Sequence, residues 1–318
     1  MIHLTLSGSP YEIGFQHGQA LHALVDGVVK HESRHHAHLA PESLALDGVL
    51  DRVRGTFPEL LEELSGIADG SRVPWDLLLE VNLRVLHYCT VIAITHSKVG
   101  PLLGKNLDFP IYAFQMLFTV RPNEGHAMTH IGCAGSVASY GGLNDAGLAM
   151  GHAVVPLDEE PKEDGLPVAL LRRQALQHCA TVAKALTFLG QHDAWRFGDN
   201  LVFLDRSGEA AVVEMRPGAQ RTRHPSDGAL WCTNCFAHPD LTRGKEEARQ
   251  RYRYIERALG AERSTLSRAL LHRLLSSHDG QAPLCRDSTQ LSFVAYPASG
   301  RLEVADGYPC QVGYVEVV

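Results

Sequence analysis

No stretch of about 18 consecutive apolar residues occurs in this 318-residue chain, which excludes a membrane-spanning helix. The first twenty residues lack a basic region leading into a long apolar core, so no signal peptide is expected there. Basic residues nowhere run five or six together. With 29 Lys and Arg against 36 Asp and Glu, the formal charge is −7, and neither nucleic acid nor an anionic membrane surface is the expected partner. There is no repeat of fixed period and no low-complexity tract, which argues against solenoids and propellers. None of Gly132, Gly135, Gly141 and Gly142 falls into the spacing of a phosphate-binding loop. Cys232-Thr-Asn-Cys235 is a lone CxxC with His238 as a single further candidate, too little for a zinc site, so neither metal nor cofactor is expected.

What is present is enough apolar sequence, 45% of the residues, to bury one large core or two modest ones. The seven cysteines (Cys89, Cys133, Cys179, Cys232, Cys235, Cys285 and Cys310) are odd in number and widely spread, the pattern of free thiols in a reducing, cytoplasmic setting. From Pro10 to Leu86 the apolar residues recur at three and four positions. A first helical segment runs from Pro10 to about His36, a second starts at Pro41, and Pro58 and Pro74 mark further helix starts, where the missing proline N–H costs nothing.

At Cys89 the period shifts towards two. Strands are expected at Cys89–Thr95, Pro101–Leu107, Met116–Val120, Met128–Gly132, Ser139–Asn144 and Leu148–Val154. A helical stretch, Pro167–Leu189, precedes a hairpin formed by Asn200–Asp205 and Glu209–Arg216. Further strands are expected at Ala229–Thr233, Gln290–Tyr296, Arg301–Ala305 and Gln311–Val317, with helices at about Lys245–Leu259 and Thr265–Leu275 between them. Strands, helices and strands again, without βαβ alternation, predict an α+β fold in which helices cover two packed antiparallel sheets. The expected division is a helical segment over residues 1–88 and a core over 89–318.

Chemistry concentrates in a few places. Cys89 stands at the first strong strand, either a buried boundary cysteine or a nucleophile. In Gly104-Lys-Asn-Leu-Asp108, alternation turns Asn106 and Asp108 to one face and Lys105 to the other; the bland reading is a polar turn. Gly141-Gly-Leu-Asn144-Asp-Ala-Gly147 reads as a tight turn. Asn234, just beyond a strand, is either a loop cap or an amide donor to an oxyanion. Phe109, Tyr112, Phe114 and Phe236 are core or the wall of an acyl pocket. A papain-like His–Asn pair has little support, because none of His87, His96, His130 and His152 has a distinguishing setting.

Taken in order, Gly8-Ser-Pro-Tyr-Glu-Ile-Gly-Phe-Gln-His-Gly18, Cys89-Thr90, Gly104-Lys-Asn-Leu-Asp108, Gly142-Leu-Asn-Asp-Ala-Gly-Leu148, Thr233-Asn234 and the segment from Arg286 to Pro309-Cys310 resemble the N-terminal-nucleophile (Ntn) hydrolases. The resemblance is to the acyl-CoA:6-aminopenicillanic acid acyltransferase family, and more distantly to the choloylglycine and penicillin V hydrolases. It implies a four-layer αββα sandwich, with Cys89 as nucleophile and Asp108 holding its amino group. Lys105 stands where the bile-salt branch has an arginine, Asn234 is the oxyanion asparagine, and Asn144 and Arg286 face substrate.

The reaction so implied is cleavage of an amide or thioester through an S-acyl-Cys89 intermediate, by a hydrolase or an acyltransferase, after autoproteolysis between Tyr88 and Cys89. Its partners would be a small acylated substrate and an amine acceptor or acyl-CoA, and the oligomeric state, a homo-oligomer included, is left open. Tyr88 and Lys105 depart from the family pattern, which has glycine and arginine there. They support the alternative of a non-catalytic, unprocessed relative that binds an acylated small molecule.

Overall fold

The computed structural model describes residues 1–36, 46–83, 88–108, 115–157, 165–194, 197–241 and 243–318. The chain begins with β1 (His3–Gly8), then α1 (Pro10–Ala20), α2 (His22–His36), α3 (Leu46–Thr56), α4 (Pro58–Ser71) and α5 (Trp75–Leu83). Six strands follow: β2 (Tyr88–Ile94), β3 (Leu102–Asp108), β4 (Gln115–Pro122), β5 (Met128–Cys133), β6 (Gly141–Asn144) and β7 (Leu148–Val155). After α6 (Val168–His178) and α7 (Val182–Leu189) come β8 (Gly198–Asp205), β9 (Ala210–Arg216), β10 (Ala219–Arg223) and β11 (Ala229–Cys232). The chain closes with α8 (Glu246–Ala261), α9 (Arg268–Leu275), β12 (Thr289–Tyr296), β13 (Arg301–Asp306) and β14 (Val315–Glu316).

The strands form two sheets. One has the order β1-β4-β5-β6-β7-β8-β9-β10, the other β11-β2-β3-β12-β13-β14. All pairings are antiparallel except β1 with β4. Alternation along each strand divides the apolar residues between layers. In β2, Cys89, Val91 and Ala93 point between the sheets, where they meet Leu143, Ala149, Val202 and Phe293. Ile92 and Ile94 point the other way, onto Ile255 and Leu259 of α8 and Leu271 and Leu275 of α9. The eight-stranded sheet turns its outer face to the remaining helices, with Phe118, Met150 and Leu201 packed with Ile13, Leu64, Leu78, Leu171 and Leu189. The result is the αββα sandwich. Every residue of β3, β5, β7 and β8 is buried, because these strands are covered on both faces.

Several elements differ from the expectation. The Pro10–His36 segment is two helices, parted at Leu21, and Pro167–Leu189 is likewise two, parted around Cys179–Thr181. β1 and β10 lie where no strand was expected; the first is short and edge-placed, the second largely polar. The segment 311–317 carries strand structure only at Val315–Glu316. The helix start at Pro41 lies outside the described residues.

Residues 1–83 do not stand apart from the rest. β1 pairs with β4, and α1 and α4 pack backbone to backbone through Gly14, Gly18, Gly66 and Gly70: a Cβ built at Gly66 would lie 2.2 Å from Tyr11 O. That close approach explains the glycines of the first motif.

Candidate active site

Cys89 opens β2 and Asp108 closes β3, and the antiparallel register sets Tyr88 opposite Asp108 and Cys89 opposite Leu107. A hairpin of this length therefore brings residues 19 apart in sequence to one end of the sheet. Lys105 shares the inward face with Cys89 and reaches across to donate to Tyr140 O. Asn106 faces outward as expected; its Nδ2 donates to Leu275 O (2.8 Å) and Leu284 O (2.7 Å), fastening β3 to the end of α9 and the loop after it.

Cys89 is completely buried. Burial pushes its thiol up to about 11; Lys105 opposes the shift, and Asp108 and Asp199 add to it. The same burial brings the Lys105 ammonium down to about 8, against the pull of Cys89. A thiol in this state is almost wholly protonated at neutral pH and needs a base.

The Cys89 N–H donates to Asn234 Oδ1 at 2.9 Å, while Asn234 Nδ2 donates to Val154 O at 2.7 Å. The asparagine expected at the oxyanion thus lies against Cys89, with its oxygen turned to the backbone N–H. Asn234 presents its acceptor to Cys89 and turns an N–H to Val154, so it holds the Cys89 nitrogen. Asp108 Oδ1 accepts from Thr289 Oγ1 at 2.6 Å. Its Oδ2 makes no hydrogen bond among the described residues and lies 3.7 Å from Arg286 Nη1. Burial raises the Asp108 carboxyl, with Arg251 first among the groups that pull it back. Arg286 also pairs with Glu247 at 2.6 Å and lies 5.8 Å from the centre of the Tyr88 ring.

Three groups escaped the sequence reading. Arg251 donates to Cys89 O (3.2 Å), Thr90 Oγ1 (2.7 Å) and Asn234 Oδ1 (2.9 Å), tying both sides of the site together. Its signal was present: Ala248, Arg251, Ile255 and Leu259 form the buried stripe of α8, and an arginine inside an apolar stripe requires buried partners. Thr289 gives no local signal, because only the β12–β3 register places it on Asp108. Arg172 and Asp199, paired at 2.8 Å with His152 against both, come from three separate elements. Burial lifts Asp199 to about 6.

Two expected site residues lie elsewhere. Asn144 is spent on structure: its Nδ2 donates to Leu176 O and Cys179 O, and its Oδ1 accepts from Leu148 N, closing the turn under α6. Phe236 packs with Val155 and Leu241 as core. Phe109, Tyr112 and Phe114 lie outside the described residues.

Residues 95–293 match the family of acyl-coenzyme A:6-aminopenicillanic acid acyl-transferase. The chain belongs to this family. Lys105, Asp108, Asn144, Asn234 and Arg286 fall within the matched stretch, and Cys89 precedes it by six residues. An uncharacterized protein of Archaeoglobus fulgidus is 28% identical over 227 residues, which are 58% of this chain and 38% of that protein, so the match spans well under half of that relative. Among solved structures, penicillin V acylase from Agrobacterium tumefaciens is similar at 16% identity, covering 69% of this chain and 83% of that one, with a TM-score of 0.44. The Caenorhabditis elegans ortholog of N-acylethanolamine-hydrolyzing acid amidase matches at 15% identity over 66% and 93% of the two chains, with a TM-score of 0.49. A mutant of conjugated bile acid hydrolase from Clostridium perfringens matches at 13% identity over 69% and 89%, with a TM-score of 0.46. Among the described residues no helix is long and apolar enough to cross a membrane.

Proposed function

We propose that this family member is a cysteine-nucleophile acyl-transfer enzyme that opens an amide or thioester through an S-acyl-Cys89 intermediate, once the bond between Tyr88 and Cys89 has been cut. The observation that carries the reading is the hold on Cys89 nitrogen. A buried amide N–H is given an Asn234 carbonyl at 2.9 Å, and the register sets Asp108, one of whose oxygens accepts no hydrogen bond among the described residues, opposite the preceding residue Tyr88. Freed from Tyr88, that nitrogen becomes an α-amine, with an ordinary pKa near 8. It then offers more protons to share, and in this reading Asp108 would accept a hydrogen bond from one of them.

The cut would begin with Cys89 Sγ attacking the Tyr88 carbonyl carbon. The acyl group shifts from nitrogen to sulfur, and water hydrolyses the thioester, leaving a Tyr88 carboxylate and a free Cys89 amine and thiol. In turnover the amine accepts the thiol proton as sulfur attacks the substrate carbonyl carbon, then returns it to the departing amine or thiol. Water or an amine next displaces the acyl group from sulfur, giving a hydrolase or a transferase. Lys105 favours the thiolate, Asp108 and Asn234 orient the amine, and Arg251 fixes Asn234 and the Cys89 carbonyl. Backbone N–H groups would serve the oxyanion; Asn234 joins them only if its Nδ2 turns from Val154 O. The substrate is a small acylated molecule, acyl-CoA included, and the acceptor is water or an amine.

A second reading, an unprocessed protein that binds an acylated small molecule, draws on the complete enclosure of the Cys89 sulfur. Intact-mass measurement after incubation separates the two. The enzyme reading expects two fragments meeting at Tyr88–Cys89 and an acyl adduct on Cys89 with substrate, both abolished in Cys89→Ala. A single full-length species without adduct would overturn the enzyme reading and favour the binding one.

A further inference from the structure

Outside the Cys89 site, three segments meet at the end of the six-stranded sheet. His278, Cys285 and Cys310 each offer one ligand atom there, and these atoms all lie within 4.8 Å of one another. The two sulfurs are 3.2 Å apart. We propose that these three residues form a binding site for one thiophilic divalent cation of the zinc class.

The donor set fits the chemistry. Two thiolates and a neutral imidazole are the ligands that select zinc over the hard cations, and two thiolates balance its charge. Zn–S bonds of about 2.3 Å set two tetrahedral sulfurs about 3.8 Å apart, so the pair would part by roughly half an ångström. Each thiol releases its proton to solvent as its sulfur binds. With three protein ligands, water takes the fourth position. The imidazole also has the outer partner that such a ligand needs. Its Nδ1 lies 3.0 Å from Cys285 O, an acceptor that fixes the ring when Nε2 binds the cation.

The scaffold is already tied. Cys285 N donates to Ser277 O at 2.9 Å, Ser276 Oγ to Pro309 O at 2.9 Å and Tyr308 Oη to Asp287 O at 2.9 Å, so every ligand-bearing segment is bonded to another. A cavity of about 350 Å³ bounded by His278, Cys285 and Asp287 gives the cation a way in. Cys285 also precedes the turn in which Arg286 N donates to Thr289 Oγ1 and Thr289 Oγ1 to Asp108. A bound cation would brace that turn.

The test is cobalt titration of chelator-treated full-length protein, kept reduced with a phosphine and followed by absorption, with zinc as competitor. One equivalent of cobalt should give sulfur-to-cobalt charge-transfer bands and tetrahedral d–d bands that zinc abolishes, and zinc should raise the melting temperature. Cys310→Ser and His278→Ala change exposed residues, and circular dichroism checks that each variant is folded; both should lose the bands and the zinc-induced shift. Bands retained in both variants would place the metal on other thiols and overturn the site. So would binding without a thiolate band, or loss of two titratable thiols with no metal taken up, which marks a disulfide. Because the readout is metal uptake, it stands or falls apart from the chemistry of Cys89.

Discussion

At the scale of single residues, the site is a contest between burial and charge. Lys105 is held at about 8, far below a solvated ammonium, because desolvation outweighs the attraction of Cys89 and Asp199. A group whose folded pKa is depressed adds stability above its unfolded value, near 10.4, and that stability is lost as pH falls through about 8. Wild-type stability relative to Lys105→Met should therefore rise between about pH 8 and 10.4, measured as the difference in urea midpoints; a flat difference would show that the amine is hydrated. Asp108→Asn keeps the shape and an acceptor oxygen but removes the charge proposed to steady the Cys89 amine. It should lower kcat by at least about tenfold with little change in KM, and an unchanged kcat would remove the amine-positioning role proposed for Asp108.

At the scale of elements, the glycines of α1 and α4 let two helices approach at backbone distance. Gly66→Ala would drive a methyl group against Tyr11 O, and the helices must part to admit it. A loss of about 1–3 kcal/mol is expected from chemical denaturation, with the strands retained. Proline at the first turn of α1 and α4 was readable locally. The breaks inside Pro10–His36 and Pro167–Leu189 were not read, although the Thr181 side chain, which accepts from Lys184 N at the start of α7, is a local signal for the second. Asn144 illustrates the limit of local signals: a glycine-rich turn signals a polar residue at a bend, and the tertiary fold spends it on the end of α6.

At the scale of the whole molecule, the N-terminal segment supplies an edge strand and much of one helical layer. If the chain is cut before Cys89, Leu6, Ile13, Leu64 and Leu78 still pack with Phe118, Met150 and Leu171. The two pieces should therefore elute together in size-exclusion chromatography without denaturant and separate in urea. Separation under native conditions would show that the covalent link carries part of the stability.

The sequence by itself determined the layer composition, the two neighbouring strands β2 and β3 and the order of the motifs along them, because period-two alternation and turn residues act over a few positions. It also determined that Lys105 and Asp108 leave β3 on opposite faces. Only the tertiary structure decided that Arg251, Thr289 and Arg286 converge on the hairpin end, that Asn234 offers its carbonyl to Cys89, and that His278, Cys285 and Cys310 meet. Those residues belong to segments far apart in the chain. Their meeting depends on sheet register and on helices docking across it, which no local pattern encodes.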